Sequence, residues 1–391
     1  MKILLIGNYK PDGIQSMDRF TSMLENHLTQ FKHQVRVLRP QPVFGRMISS
    51  PKKIQKWLGY IDKFILFPFV LHQAISWADV VHICDQGNAI YTKYLQNKPH
   101  IVTCHDLFPI RAGLGEFPEY KTGWTGKQLQ QMILQGLNQA QKVICVSEQT
   151  NSDVLRLSSL SEKAVSVIPS GLNYPYTPMI GTTARQRLAD LGIPLDSEFI
   201  LHVGANHWYK NRLGVLSIFY ELILKLQKPN FYLVMVGQPI TEEMHQFINQ
   251  YDLSKKVIEL VAIDNENLQA LYSSATALLF PSLHEGFGWP IIEAQTCGCP
   301  VFTSNRPPMN VIGGDAAIYI EPGNPQAAAA TIIGNLANLA EMKAKGLINS
   351  QKYSTAKMIC EYISIYAEVI ESFKYQKLFI NQTNLKRNIF Q

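Results

Sequence analysis

The stretch Phe280 to Ser304, FPSLHEGFGWPIIEAQTCGCPVFTS, decides how the chain is read. It reads as the end of a strand, a glycine-rich turn, a short helix, a second turn and the next strand. Pro290 suits the first turn of that helix, where its missing N–H would have no partner anyway. Gly298 suits the residue just past the helix end. Gly286, Phe287 and Gly288 then offer backbone N–H groups at a helix N-terminus, a favourable place for a phosphate or diphosphate. Glu285 stands before this loop and Glu293 stands eight positions later, inside the helix. Two carboxylates so placed can grip hydroxyls on either side of the phosphates, and phosphates flanked by two polyols describe a nucleotide sugar. The plainer reading is a buried strand–turn–helix whose glycines serve only the turn. The paired glutamates, with the flanking PS and CGCPV, are the more specific signal.

Working outward, 391 residues predict two domains, each large enough to bury its own core. An apolar share of 46% and a net charge of +6 describe a folded globular chain. That charge is too mild to imply nucleic acid, while it permits contact with anionic lipid or phosphorylated ligands. The six cysteines are scattered, and Cys297 and Cys299 have no second pair at zinc spacing. They read as reduced core cysteines of a cytosolic protein. The opening MKILLIGNY is too short for a signal peptide and reads as a first strand. No run is expected to approach the length of a transmembrane helix.

A strand at Lys2 to Ile6, a helix from about Ser16 to Phe31 and a strand at Gln34 to Leu38 predict a doubly wound parallel sheet, with ligands at the strand C-termini. The first loop holds Gly7 and a lone Gly13 in place of G-x-G-x-x-G, which counts against an NAD enzyme. The strand-like ADVVHIC leads into Asp85 and Asn88, and HIVTC leads into His105 and Asp106. Asp85, Asn88 and Asp106 are therefore acceptor-side candidates. Phe199 to Val203 restarts a sheet, with further strands at Phe231 to Val236 and Lys256 to Val261. An alanine-rich helix is expected over Ala327 to Ala344 and a last helix from Ser354 to Tyr375, followed by a frayed basic tail. Residues 40–77 mix Arg46, Lys52, Lys53, Lys56 and Lys63 with aromatic and aliphatic side chains. Such a segment either lies on an anionic bilayer or packs on the sheet with a solvated lysine face.

The 280–304 stretch resembles the EX7E signature of the retaining glycosyltransferase family 4 (glycosyltransferase group 1), written PSL-x-EGFG-x-P-x-x-EA-x-x-CG-x-PV, and nearly every position matches. The resemblance runs from the first strand to about Tyr366. It implies an α/β protein of GT-B fold, with two Rossmann-like, doubly wound parallel-sheet domains facing a central cleft. Residues 1–175 would form the acceptor-side domain and 176–365 the nucleotide-sugar donor domain. Residues 366–391 would return to the first domain as a helix and tail.

The resemblance also assigns roles. His105-Asp106 resembles the family's HD motif, whose histidine approaches the donor sugar. His105, Glu285 and Lys210 are the implied catalytic set. Gly13 would help cover the phosphates. Gly204, Lys210 and Asn211 match the family's pattern after the first strand of the donor domain, and Ile263 would lie near the base. Glu285 would hold the donor sugar, Glu293 the ribose, and Gly286, Phe287 and Gly288 with Lys210 the diphosphate. The arginine usual after the glycine is Ala205 here; either Arg212 substitutes or the helix N-terminus carries more of the charge. The expected activity is retaining transfer of a sugar from a nucleotide-sugar donor to a glycan, lipid or small-molecule hydroxyl. No cofactor and no metal are expected, since no Asp-x-Asp is present. The expected location is cytoplasmic, with peripheral contact at the inner face of the membrane through residues 44–69. Alternatives are a non-catalytic GT-B binding subunit, which the missing arginine motivates, and a nucleotide-sugar epimerase or hydrolase.

Overall fold

Short apolar runs that are buried on both faces become parallel strands. The computed structural model describes residues 1–391 except 47–51, 119, 180, 390 and 391, with the backbone alone at 46, 52, 53, 55, 56 and 379–389. The chain divides into two units. Unit 1 comprises residues 1–173 and 355–391, and unit 2 comprises 174–354.

Unit 1 contains β1 (Lys2–Ile6), β2 (Gln34–Leu38), β3 (Val80–Ile83), β4 (His100–Cys104), β5 (Lys142–Cys145) and β6 (Val165–Val167), ordered β2-β1-β3-β4-β5-β6 and parallel throughout. Leu4, Ile6, Val81, Ile83 and Val102 pack against Phe67, Leu71 and Tyr91 on one face of this sheet. Unit 2 contains β7 (Glu198–Gly204), β8 (Phe231–Gly237), β9 (Val257–Val261), β10 (Ala277–Phe280), β11 (Val301–Ser304) and β12 (Ala317–Ile320), ordered β12-β11-β10-β7-β8-β9, also parallel. Ile200, Leu233, Leu279 and Phe302 form its core with Phe219 and Leu222. In each sheet the strand order reverses once, between β1 and β3 in unit 1 and between β7 and β10 in unit 2. Open parallel sheets bind ligands at such points, outside the strand C-termini.

The helix Thr355–Ile389 belongs to unit 1. Its fully buried Tyr366 bonds His82 Nδ1 at 2.7 Å, His82 Nε2 bonds Thr103 Oγ1 at 2.7 Å, and Thr103 bonds Tyr362 at 3.0 Å. The chain leaves and re-enters the unit at one place. A Cβ on Gly171 would lie 2.5 Å from Thr355 Cα, and Thr355 Oγ1 donates to Leu172 O at 2.8 Å.

Some expectations need correction. The single helix over 327–344 is two helices, Pro325–Gly334 and Leu339–Ser350. Gly334 is a poor helix former, and the side chains of Asn335 and Asn338 take hydrogen bonds of their own in the short turn between them. The tail is helical to Ile389, so the division expected at 365 falls inside a continuous helix. Five cysteines are buried, but Cys360 is exposed. The segment 40–77 contains the helix Lys52–Ile61, a π turn at Asp62–Leu66 and the helix Phe67–Ile75. Its 19-residue span Trp57–Ile75 is long and apolar enough to cross a membrane by length and composition, contrary to the expectation that no run approaches that length.

Two buried histidines give the fold a pH dependence. Burial first, and then the neighbouring His105, pull the pKa of His82 down to about 3. Burial first, with Arg212 and Lys210 adding to it, takes His202 to about 3 as well. Both rings stay neutral when folded, whereas the unfolded chain protonates them near pH 6.5 (roughly the free value). The unfolded state therefore binds more protons across this window, and stability rises with pH. Each histidine should cost about 1.4 kcal/mol per pH unit as pH falls from about 6.5 toward 3. Urea unfolding at successive pH values should show His82→Gln flattening the slope of the unit 1 transition by that amount. An unchanged slope would contradict a neutral His82.

Candidate active site

In unit 2 the loops after β7 and β10, the two strands at the reversal, are joined residue by residue. Trp208 meets the His284 ring edge-on at 5.6 Å. Tyr209 O accepts from Leu283 N at 2.7 Å. Lys210 Nζ donates to both carboxylate oxygens of Glu285, at 2.7 and 2.8 Å. Asn211 Nδ2 donates to Pro281 O at 3.1 Å and to Pro322 O at 3.3 Å. Four consecutive residues after one strand thus hold four residues after its neighbour. Asn211 makes the turn in the left-handed region (φ 55°), which asparagine tolerates better than most residues. Glu285 is 7% exposed and the Lys210 side chain 18%. An ion pair this shielded is worth more than a surface pair, and breaking it strands a charge.

The glycine loop follows directly. Gly288, at φ 105°, caps the helix Trp289–Thr296, with Pro290 in its first turn. Phe287 is buried between the rings of Trp289 and Tyr353, and Gly286 is half-buried. Glu293 is 3% exposed and accepts from Tyr272 Oη at 2.9 Å. Burial first, and then the Glu293 carboxylate, raise the Tyr272 pKa well above its usual value, so the phenol stays protonated as the donor. Gly204 ends β7 opposite Gly237 of β8, and a Cβ on Gly237 would lie 2.1 Å from Gly204 O. Glycine is required there by close backbone approach. Ile263 is half-buried in the loop after β9, next to Ala262 at φ 55°. Arg212 does not join Glu285. Its Nη1 bonds Asn206 Oδ1 and Gln238 O beyond β8, while its buried Nε and Nη2 have no hydrogen-bond partner among the described residues.

In unit 1 the loops after β1 and β3 meet in the same manner. Asn8 Nδ2 donates to Asp85 Oδ2, and Asn8 Oδ1 accepts from Asn88 Nδ2 at 3.0 Å. Asp85 Oδ1 also takes the Gly87 N–H at 2.9 Å. Asp85 and Asn88 are buried and brought together through Asn8. Asp106 is half-buried and accepts from Phe108 N at 3.1 Å. Gly13 ends a short turn at φ 70° with open space around its Cβ position, so backbone conformation alone accounts for glycine there.

His105 is 6% exposed, with its ring edge-on to Phe20 at 4.7 Å. Its Nε2 lies 2.9 Å from Cys84 O. A carbonyl only accepts, so Nε2 carries the proton and Nδ1 is the basic atom of the neutral ring. Burial lowers its pKa, opposed by the Asp85 carboxylate. Sequence reasoning missed Asn8, Tyr272 and the ring group of His207, Trp208, Tyr209 and His284. The first stands in the loop after β1, where the reversal point of a parallel sheet is a usable signal. Tyr272 sits inside an ordinary helix and carries none.

Residues 17–174 match the family model described as Glycosyltransferase Family 4, and residues 185–347 match the one described as Glycosyl transferases group 1. O-antigen chain mannosyltransferase B of Escherichia coli is 24% identical over 271 residues, 68% of this chain and 69% of that protein. Sucrose-phosphate synthase from Thermosynechococcus elongatus superposes with a TM-score of 0.74 at 18% identity, covering 95% of this chain and 100% of that one. Anabaena HepE in complex with UDP and glucose gives 0.72 at 16% identity, over 94% and 99%. At such identities the likeness to solved structures is one of fold. The chain belongs to the group 1 glycosyltransferases of family 4 and is a GT-B enzyme that transfers sugar from a nucleotide-sugar donor.

Proposed function

We propose that the enzyme retains anomeric configuration, needs no metal, and moves a hexosyl residue from a nucleoside diphosphate to an acceptor hydroxyl of a glycan, lipid or small molecule. The Lys210–Glu285 pair beside the Gly286–Gly288 loop carries this reading. An ammonium has three donors, so Lys210 can keep Glu285 and still take an oxygen of the leaving diphosphate. A fixed charge in a shielded site acts on charge that develops as the glycosidic bond breaks. The N–H groups around Gly288, at a helix N-terminus, would share that load. Glu285 would hold donor-sugar hydroxyls and Glu293 the ribose, its second neighbour Tyr272 fixing its orientation. Asn211 would act by positioning Lys210, since its amide is already spent on two backbone carbonyls. Gly204 would leave room for the phosphates and Ile263 would border the base. Neutral His105, with Nδ1 as acceptor, is assigned to a hydroxyl of the donor sugar. Gly13 would help cover the phosphates, and Asp85, Asn88 and Asp106 remain on the acceptor side of this proposal.

Several curated relatives are named mannosyltransferases, and the HepE structures hold UDP, glucose or UDP-glucose. Both hexosyl types are therefore the first donors to try. Peripheral contact with a membrane through residues 44–69 belongs to the same proposal; residues 47–51 of that stretch lie outside the described residues.

Nucleotide release from a panel of UDP-, GDP- and ADP-sugars, read with and without EDTA, should single out one donor and be indifferent to EDTA. Loss of release in EDTA would defeat the metal-free site. Lys210→Met should lower kcat on that donor by about 10²–10³, the usual cost of removing one stabilising donor from a transition-state charge. Glu285→Ala should abolish transfer, whereas unchanged transfer by a parent complex that contains the chain would favour a non-catalytic binding subunit. NMR of the product should show the anomeric configuration of the donor, and inversion would end the retaining assignment.

A further inference from the structure

Between Glu25 and Asp79 the sequence has eight lysines and arginines and one acid, Asp62. That acid is 1% exposed and its carboxylate is fully engaged. It accepts from Tyr9 Oη at 2.8 Å, Phe44 N at 3.0 Å and Gly45 N at 3.1 Å. The segment is therefore basic in sequence, with Arg39 and Lys63 paired to Asp18 and Asp12. Lys52, Lys53 and Lys56 stand in the first turns of the helix Lys52–Ile61, with no acid there. Cations at a helix N-terminus oppose the macrodipole.

The same helical run exposes large apolar side chains. Trp57 is 62% exposed, Phe69 70%, Ile65 54%, and Ile54 and Val70 47% each. On a regular α-helix Trp57 and Ile65, eight residues apart, would be rotated about 80° from each other. The π turn at Asp62–Leu66 inserts the extra residue that takes up this difference. Ile54, Trp57, Ile65 and Phe69 consequently share one stripe. The opposite side is committed to unit 1. Phe67 and Leu71 lie in its core, and a Cβ on Gly59 would lie 3.1 Å from the Tyr9 ring. A helix pinned along one side lies in a plane and does not cross a bilayer, although its span is long enough.

We propose that the helical run Lys52–Ile75 docks in the plane of an anionic lipid surface, inserting Ile54, Trp57, Ile65 and Phe69 while its basic first turns meet lipid phosphates. This deepens the peripheral contact proposed above and rests on that reading, but not on the transfer chemistry. An apolar stripe with an aromatic at the interface and cations beside it fits a bilayer boundary. The run also grips the loop after β1, through Tyr9 on Asp62 and through Lys63 on Asp12 at 3.0 Å. Docking would therefore hold that loop beside the membrane.

The test uses the full chain and unilamellar vesicles of phosphatidylcholine, with and without phosphatidylglycerol. The protein should float with the anionic vesicles alone and release as salt rises past the screening range. Tryptophan emission should shift to the blue on binding, and the shift should vanish in Trp57→Phe. Phe69→Asp and Ile65→Asp should each weaken binding about ten-fold or more, the worth of one large apolar side chain removed from water. Their thermal unfolding should match the parent, since both side chains are already in water. If either fails to fold, the triple variant Lys52→Glu, Lys53→Glu, Lys56→Glu should still lose flotation. No flotation at low salt, or equal flotation with neutral vesicles, overturns the proposal. So does a dimer in sedimentation that Phe69→Asp dissociates while flotation is unchanged, which would make this face a contact between copies. Nucleotide release in free solution reports on the transfer site independently of all these outcomes.

Discussion

The reversal of strand order in a parallel sheet is the constraint on which the rest depends. Two neighbouring strands there send their connections to opposite faces, and a gap opens between the two loops at their C-terminal ends. In unit 2 that gap lies between β7 and β10, and Lys210 and Glu285 close it with two short charge-assisted bonds. In unit 1 it lies between β1 and β3, and Asn8 closes it onto Asp85. The two sheets solve the same geometric problem with different chemistry. One places a cation and a carboxylate beside a helix N-terminus, which suits the phosphate role proposed for it. The other places neutral amides beside a carboxylate, which suits the hydroxyl-binding role proposed for it.

The fold was legible because its determinants are local. Strands buried on both faces read as short apolar runs, and β1 and β4 occupy the residues that the runs predict, as does the partly exposed edge strand β2. The glycine loop was legible for a similar reason. Gly288 at φ 105° and Gly298 at φ 73° are demanded by backbone conformation, and such demands leave one residue type. Partners that arise only from the three-dimensional path left no trace. Tyr272 reaches Glu293 from a helix twenty-one residues upstream, and nothing in the spacing marks it. The alanine-rich stretch misled because alanine has high helix propensity, while the break is set by Gly334 and by side-chain bonds of Asn335 and Asn338. In the basic segment a single helical period does not reveal the stripe. A heptad-like count assumes one helix geometry, and the π turn changes the rotation halfway along, so the apolar stripe emerges only from the structure.

Ala205, where an arginine was expected, sharpens the role of what remains. With two cations, a small error in one is covered by the other. With one, the field at a leaving diphosphate held as proposed would depend on a single side chain, and the cost of holding it must be met by the loop. The loop after β7 meets it at every residue from Trp208 to Asn211, through a ring contact, a main-chain hydrogen bond, an ion pair and an amide tether. Arg212 follows immediately, but its guanidinium is turned to Asn206 and Gln238. It stabilises the far side of the same loop, next to the backbone contact of Gly204 and Gly237. Arg212 thus supports the turn and does not reach Glu285. Preorganisation of one charge, in place of a second charge, is the physical difference between this loop and the pattern it resembles.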